Sequence, residues 1–285
     1  MKGLRFRYMV ADTSLWRPTD NLLEEIASSV KDHLEDGDIV TISEKAISTA
    51  LGNILDESEI KAGRTAKFIA KYWMRYVWGY FLGPICRLRP VNLKRIRNYP
   101  LKEGSIHKEA ALRYAGLLQA LNWCSEGGID ASNLPYSYVS LPLKRPDQIA
   151  ENIRKHIRNK VDRNVSVMIV DTDKTYSIGG FHFTPRPCST VGIRSAGGFL
   201  AYVLGRALNL RRRSTPIAVV GTDLTINTSL NIAEAAHMLR GSGAGATVWD
   251  MARRFGVSLT QVSWKMLQEV DHRPIVIFRR ERRLI

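Results

Sequence analysis

Val165-Ser166-Val167-Met168-Ile169-Val170 is a strongly apolar, β-branched run, and Asp171-Thr172-Asp173 follows it directly. Such a run is typical of a strand that is buried in the centre of a sheet. An Asp at the end of a buried parallel strand lies where α/β sheets usually bind ligands. The pattern therefore predicts a central strand with Asp171 and Thr172 at its C-terminal end. The alternative is a simple strand-to-turn junction that is capped by Asp173.

The rest of the chain alternates between similar apolar runs and helical patterns. We expect an α/β (mixed α+β) fold with mixed sheets. Glycine and proline at positions 83 and 84 are expected to end one of the helices. Further strands are predicted at 39–42, 217–220 and 275–278, and helices at about 20–34, 65–82, 106–123, 147–157 and 229–239. For domains, we expect a first region over 1–246, with a helical, aromatic-rich expansion at about 64–122, and a helical hairpin with a final strand over 247–285.

The bulk composition favours a folded protein with an anionic partner. Apolar residues make up 45% of the 285 positions, and 42 Lys+Arg against 27 Asp+Glu give a net charge of +15. Such a charge attracts nucleic acid, a membrane surface or phosphorylated small molecules. Three widely spaced cysteines suggest neither a disulfide framework nor a zinc knuckle. With no signal-like N-terminus and no apolar run of spanning length, we expect a cytoplasmic protein without a membrane.

Two acidic segments are candidates for chemistry. Gly127-Gly128 precedes Asp130, and Ser132 and Asn133 follow it, so this turn clusters oxygen ligands beside a flexible backbone. The alternative is a tight turn that bonds only to itself. In the second segment, the carboxylate of Asp171 and the hydroxyl of Thr172 suit Mg²⁺ or Mn²⁺, and Lys174 could reach a phosphate.

Two further segments lie towards the C-terminus. The loop over 241–246 is built from small residues, which can present backbone N–H groups to phosphate, although a plain connection would look the same. The next segment, 247–270, has the glycine turn and the spacing of a helix-turn-helix, with Ser258 and Gln261 placed as a capping box for its second helix. A packed helical hairpin also matches this pattern.

Taken in order, four segments resemble the γ-glutamyl ligases that add glutamate to coenzyme F420-0. The Gly-Ile-Asp-Ala-Ser-Asn turn at 128–133 and the Asp-Thr pair at 171–172 are the specific matches. The strand and turn over 36–52 and the glycine-rich loop near 241 are less specific. Together the matches span about Leu15 to Ala246. The resemblance implies a mixed α/β fold and an intertwined homodimer.

The resemblance also implies a site and a reaction. Asp130, Asp171 and Thr172 would bind Mn²⁺ or Mg²⁺, and GTP would be the co-substrate. The γ-phosphate would pass to a carboxylate of an anionic, phosphorylated small molecule, and the amine of glutamate would attack the resulting acyl phosphate. By resemblance, the residues that surround the nucleotide would be Leu15, Trp16, Glu44, Lys45, Thr49, Asn133, Ser242, Gly243 and Gly245. Lys174 is added to this set because of its position after the strand.

The chain departs from the family pattern at several points. Asp173-Lys174-Thr175-Tyr176 replaces the usual Gly-Arg run after the Asp-Thr pair, and Ser242 stands where the family carries an acidic residue. We therefore expect a divergent GTP- and metal-dependent amide ligase. The alternative is a nucleic-acid-binding protein that uses 247–270 on a ligase-like scaffold without catalysis.

Overall fold

The computed structural model describes residues 5–124 and 126–281, and it confirms an α/β fold with mixed sheets. Seven strands form the main sheet in the order β1-β9-β2-β5-β6-β7, with β8 paired to β5, while β3 and β4 form a separate two-stranded sheet. The strands are β1 (Phe6–Thr13), β2 (Ile39–Ser43), β3 (Ile54–Asp56), β4 (Tyr138–Ser140), β5 (Ser166–Ile178), β6 (Phe181–Thr184), β7 (Arg194–Ser195), β8 (Arg211–Val220) and β9 (His272–Arg280).

Helices cover the main sheet and build the segment between β3 and β4. They are α1 (Leu22–Val30), α2 (Glu44–Ala50), α3 (Arg64–Phe68), α4 (Gly83–Ile85), α5 (Pro90–Arg97), α6 (Leu101–Tyr114), α7 (Leu117–Ala120), α8 (Pro146–Val161), α9 (Phe199–Ala207), α10 (Ile226–Arg240), α11 (Val248–Phe255) and α12 (Trp264–Gln268). A 3₁₀ turn, Glu57–Glu59, and a π-helical stretch, Ile69–Leu82, complete the set. In the described ranges no helix is long and apolar enough to cross a membrane.

The central pair of strands is parallel, from Ile39 beside Ser166 to Ser43 beside Val170. Side chains of a strand alternate between the two faces of the sheet. Val167 and Ile169 therefore pack with α1 and α8 in one core cluster, and Met168 and Val170 pack with α10 in another. Because both faces are covered here, residues 167–170 of β5 are all apolar, as the sequence predicts.

β5 does not end where the sequence predicts. It continues to Ile178, and its antiparallel register with β8 shifts between Asp171 and Lys174. The residues between them form a bulge inside a long strand, so the predicted strand end is wrong. The parallel partner β2 stops at Ser43, and α2 begins at the next residue. The end of β2 therefore exposes the edge of β5 beside Asp171.

The aromatic helix is longer than predicted. Residues 64–85 form one continuous helical segment, so the predicted helix end at Gly83-Pro84 is wrong. The N–H of Gly83 bonds to the carbonyl of Trp78, and a Cβ at position 83 would lie 2.5 Å from that oxygen. Glycine thus permits the π-helical turn to close. The predicted helix over 106–123 is divided into α6 and α7 at Gly116, which has a φ of +86°.

The C-terminal hairpin is not a helix-turn-helix. The N–H of Ser258 bonds to Oε1 of Gln261 at 3.0 Å, but residues 258–263 are not helical, and α12 has only five residues from Trp264. A recognition helix must lie along the major groove with several side chains on the bases, and α12 is too short for that. The predicted boundary at residue 246 stays a prediction. β9, however, lies between β1 and β2 in the main sheet.

Candidate nucleotide and metal site

A cavity of about 270 Å³ lies at the carboxyl end of β2, beside the bulge in β5. The two acidic segments and the glycine loop, far apart in sequence, meet there. The predicted site residues that line it are Leu15, Trp16, Lys45, Thr49, Asp130, Asn133, Asp171, Thr172, Ser242, Gly243 and Gly245. Glu44 and Lys174 are also predicted to lie in this site, but neither residue lines the cavity.

The bulge in β5 orients Asp171 towards the cavity. One carboxylate oxygen accepts the N–H of Thr172 at 2.7 Å, and the other accepts the N–H of Asp173 at 3.3 Å. The second oxygen also contacts Nη1 of Arg186. Burial acts to raise the pKa of Asp171, but Arg186 and these backbone donors outweigh it and hold that pKa below its usual value. Asp171 is therefore ionised at neutral pH.

Arg186 is the residue that sequence reasoning missed. It is 1% exposed, and it holds Glu44 in a bidentate pair, with Nη1 2.5 Å from Oε2 and Nη2 2.9 Å from Oε1. Glu44 also accepts the N–H of Leu143 at 3.0 Å. Burial raises the pKa of Glu44 despite this pairing. Glu44 thus supports the site from beneath, and the one local signal for Arg186 is its position between two prolines.

The Asp130 turn is held by Lys45 from α2. Nζ of Lys45 lies 2.6 Å from Oδ2 of Asp130 and also donates to the carbonyl and the hydroxyl of Ser132, at 3.0 and 2.6 Å. Oδ1 of Asp130 accepts the N–H of Ser132 at 2.7 Å, which is the self-bonded turn expected as the alternative. The turn packs closely on Arg186, which pairs with Asp171, since a Cβ at Gly128 would lie 2.8 Å from Nη2 of Arg186.

Asn133 connects this turn to the glycine loop between α10 and α11. Its Oδ1 accepts the N–H of Ala244 at 2.6 Å, and its Nδ2 donates to the carbonyls of Ser242 and Gly245, both at 3.2 Å. Asn133 has a φ of +58°, a conformation that Asn tolerates better than most residues. One side chain therefore fixes the shape of the predicted phosphate loop.

Two basic side chains from the end of α10 complete the cavity wall. Nη1 of Arg240 is buried and has no hydrogen-bond partner among the described residues. Burial lowers the pKa of Arg240 to about 10, while nearby Asp171 acts in the opposite direction. Burial and the charges of Lys174 and Arg240 lower the pKa of His237 to about 4. At neutral pH the wall thus presents a charged, unsatisfied guanidinium and a neutral imidazole.

The remaining cavity residues come from the core and from α2. Trp16 is 1% exposed and packs edge-on against His272, with ring centroids 5.6 Å apart. Thr49 bonds to the carbonyl of Lys45 at 2.9 Å. These residues shape the cavity wall between the main sheet and α2.

Lys174 lies on the far side of the bulge. Its Nζ is 2.7 Å from Oε2 of Glu234 and 3.0 Å from Oγ of Ser214. Its neighbour Asp173 is buried, and one of its carboxyl oxygens has no partner among the described residues. Burial and the adjacent Asp171 raise the pKa of Asp173 well above its usual value. Asp130, Asp171 and Asp271 are therefore the carboxylates that line the cavity, and neither Lys174 nor Asp173 lines it.

The donor set fits a divalent cation only with help from a ligand. Within 5–124 and 126–281, no group of three His, Cys, Asp or Glu is arranged to hold a metal ion. Asp130, Asp171 and Thr172 nevertheless line one cavity. Mg²⁺ commonly binds one or two carboxylates and takes its other oxygens from phosphates and water. Ser242 adds a hydroxyl to the same wall.

Several known proteins are similar to this chain in sequence. An uncharacterised protein of Methanocaldococcus jannaschii is 31% identical over 275 residues, which are 90% of this chain and 91% of that protein. Coenzyme F420:L-glutamate ligases of Methanopyrus kandleri and Archaeoglobus fulgidus are each 30% identical, over 55% and 58% of this chain. The matches span 55% and 59% of the lengths of those two ligases, little more than half.

The family match is broader than the matches to individual ligases. The sequence model described as F420-0:Gamma-glutamyl ligase matches residues 12–248, which include both acidic segments, the glycine loop and the whole helical region between β3 and β4. This match supports a ligase function. On these grounds the chain belongs to the F420-0:gamma-glutamyl ligase family.

Proposed function

We propose that this protein is a GTP- and divalent-metal-dependent amide ligase that adds glutamate to a carboxylate of an anionic, phosphorylated small molecule. One observation carries the proposal. Asp130 and Asp171, 41 positions apart in the sequence, line a single cavity together with the glycine loop and the unsatisfied guanidinium of Arg240. Carboxylates for a cation beside donors for a phosphate are the arrangement that nucleotide-dependent phosphoryl transfer needs.

Each part of the wall has a separate task. Backbone N–H groups of the glycine loop and the side chain of Arg240 would bind the phosphates of GTP. Lys45 holds Asp130 at 2.6 Å and adds positive charge to the same wall. Arg186 and Glu44 fix Asp171 from beneath the cavity. A bound Mg²⁺ or Mn²⁺, held by Asp130, Asp171 and Thr172, would neutralise phosphate charge.

The reaction needs no protein nucleophile. An oxygen of the acceptor carboxylate attacks the γ-phosphorus of GTP, the bond to the β-phosphate oxygen breaks, and GDP leaves. The amine of glutamate then attacks the carbonyl carbon of the acyl phosphate, and inorganic phosphate and a proton are released as the amide forms. Catalysis of this kind depends on positioning and on charge, which the cavity wall supplies.

Isothermal titration calorimetry with GTP in the presence of Mn²⁺ tests the site. We expect the unaltered protein to bind and Asp130→Asn to lose affinity, because the substitution removes a ligand charge and keeps the volume of the side chain. Arg240→Gln should also weaken binding. Asp223→Asn, at an exposed acid outside the cavity, is the matched control and should bind as the unaltered protein does. Nucleotide binding that is unchanged in Asp130→Asn and Asp171→Asn would show that the proposed site is wrong.

Turnover is tested separately, with coenzyme F420-0 as the acceptor probe. Incubation with GTP, Mn²⁺ and L-glutamate should give a product that is heavier by one glutamyl residue, together with GDP and phosphate. Nucleotide binding without this product would overturn coenzyme F420-0 as the acceptor while retaining the metal and nucleotide site. We also propose that the protein works as a homodimer, and sedimentation equilibrium of the intact chain measures that directly.

A further inference from the structure

Four aromatic side chains form a row on the outer face of the long helix. Phe68, Tyr72, Tyr76 and Tyr80 follow one another at every fourth position, and they are 45–59% exposed. Their consecutive ring centroids are 5.3, 6.3 and 6.4 Å apart, and the two tyrosine pairs are stacked within 24° and 22° of parallel. We call this row the aromatic ladder. Other residues of the helix fill the core, so the ladder is not needed for packing.

All charged residues in the segment that carries the ladder are basic. From Ile60 to Lys102 there are eleven Lys or Arg and no Asp or Glu. Nζ of Lys71 lies 5.0 Å from the ring centroid of Tyr72, and the guanidinium of Arg97 lies 4.4 Å from that of Tyr80. Within the described part of the chain, Arg95 is the only one of the eleven in an ion pair with a carboxylate. The charged residues that are nearest the ladder in the sequence are therefore all cations, and most of them have no carboxylate partner among the described residues.

Helix α5 extends this surface away from the ladder. On one side, Nε of Arg97 bonds to the carbonyl of Gly79, next to Tyr80. On the other side, a second cavity of about 380 Å³ is lined by Lys94, Arg95 and Asn98 of this helical segment and by Trp249 and Arg253 of α11, as well as by Val91. The guanidinium of Arg95 lies 5.6 Å from the ring of Trp249. Basic groups and aromatic rings thus alternate from the ladder to α11.

We propose that the aromatic ladder and the basic surface of α5 bind single-stranded nucleic acid. Proteins that bind single strands without sequence preference combine a positively charged path for the backbone with aromatic rings on which the bases stack. The ladder supplies a row of rings, and the cations beside it supply the path. Binding here is independent of the proposed ligase site, which lies at the carboxyl end of β2, beside the bulge in β5.

The positive charge around the ladder and its tyrosine side chains favour single-stranded nucleic acid over two other partners, a second copy of the chain and a membrane surface. A second copy of the chain would bring the same eleven cations against the ladder, and like charges in contact oppose such pairing. Helices that lie on anionic membranes bury Leu, Phe or Trp, whereas three of the four rungs here are tyrosine. These rings are about half exposed, and every base has a face on which an aromatic ring can stack, so a row of tyrosines suits a flexible polyanion.

Fluorescence anisotropy of a labelled oligouridylate, titrated with the full-length protein at several salt concentrations, tests the proposal. We expect binding that weakens steeply with salt, because each neutralised phosphate contributes a slope of about −0.7 in log K against log salt for a single strand. Tyr76→Leu keeps an apolar side chain but removes the ring. It should lower the affinity between about 5-fold and about 150-fold, the range expected for loss of one stacked base. Tyr76→Phe should bind as the unaltered protein does.

The cations are tested by Lys67→Glu with Lys71→Glu, which should both weaken binding and flatten the salt dependence. Two controls match these changes. Tyr8→Leu removes an exposed tyrosine of β1, and Lys155→Glu with Arg158→Glu reverses the same amount of charge on exposed residues of α8. Neither should alter binding. Circular dichroism of each variant confirms that it is folded.

Several outcomes would overturn the proposal. Absence of oligouridylate binding at low salt would do so, as would equal affinity of Tyr76→Leu and the unaltered protein. Binding to phosphatidylserine vesicles that is lost in Tyr76→Ala, without oligouridylate binding, would assign the ladder to a membrane surface instead. Self-association that disappears in Tyr76→Ala, without oligouridylate binding, would assign it to a second copy of the chain.

Discussion

Replacing Arg186 by methionine is expected to destabilise the fold strongly. Its guanidinium is the counter-charge for two carboxylates, those of Glu44 and Asp171, and the three side chains are only 2%, 4% and 14% exposed. Removing one partner of a buried ion pair leaves an uncompensated charge and typically costs about 3–5 kcal/mol. Methionine is similar in length and apolar, so lost volume contributes little. The expected loss in the free energy of unfolding is therefore at least about 3 kcal/mol at neutral pH.

The loss should depend on pH in a defined direction. In the unaltered protein the pKa of Asp171 lies below its usual value, so its contribution to stability is present above the unfolded-state pKa and is lost as pH falls through the folded value. Without Arg186, only backbone N–H donors oppose burial and the mutual repulsion of the two carboxylates, so the pKa of both Asp171 and Glu44 should rise. Each group then destabilises the fold as pH rises above its unfolded value of about 4. The difference between the two proteins should shrink below about pH 4.

Urea unfolding followed by tryptophan fluorescence measures both quantities. Arg158→Met, at an exposed position of α8, is the control and should change the free energy of unfolding little. Combining Arg186→Met with Glu44→Gln should recover part of the loss, because one of the two stranded charges is removed. A loss below about 1 kcal/mol, as for an exposed ion pair, or a loss that does not change with pH, would refute this account of the site.

Three other predictions concern parts of the chain around the cavity and the long helix. Burial acts to lower the pKa of His107, but Glu57 and Glu126 outweigh it and raise that pKa to about 10. The contribution of His107 to the free energy of unfolding is then complete below its unfolded-state pKa of 6.5 and is lost as pH rises through about 10. In His107→Gln, the urea midpoint should therefore fall less steeply over that pH interval. Asn133→Gly keeps the left-handed backbone but removes three hydrogen bonds to the glycine loop. At roughly 1 kcal/mol per bond before compensation, calorimetry should show that GTP binding is weakened about 10-fold or more. Unchanged affinity would mean that the loop holds its shape without Asn133. Gly83→Ala places a Cβ 2.5 Å from the carbonyl oxygen of Trp78, so overpacking should lower stability by about 1–3 kcal/mol, seen as a lower thermal midpoint.

The sequence predicts the central strands well because their signal is local. Residues 39–42 and 167–170 are buried on both faces of the sheet, and seven of these eight residues are apolar, so both runs stand out without knowledge of their partners. The convergence of Asp130, Asp171 and the glycine loop could also be predicted, because the resemblance to a known family connects segments that local patterns treat separately. Their roles as metal and nucleotide ligands stay predictions.

Other features could not be predicted because they depend on contacts across the chain. Arg186 pairs with a glutamate 142 positions away, and nothing in the residues on either side marks an arginine as buried. For Lys174, in contrast, the sequence predicts a free side chain where the structure shows an ion pair. A lysine after an acidic strand end looks free to reach a phosphate, but the fold places Glu234 of α10 within 2.7 Å of it. For long charged side chains, the partner supplied by the fold decides the role.

Asp171 shows how a prediction can place a residue correctly for an incomplete reason. The rule that ligands bind at the carboxyl ends of parallel strands placed Asp171 at the cavity, yet β5 itself does not end there. What ends is its parallel pairing with β2 at Ser43 beside Val170, since the chain turns into α2 and leaves one side of β5 without a neighbour. The bulge over Asp171–Asp173 uses this free side, and α2 brings Glu44 and Lys45 to it. The edge of the site is therefore set by where the partner strand stops, a length that the apolar run of β5 does not encode.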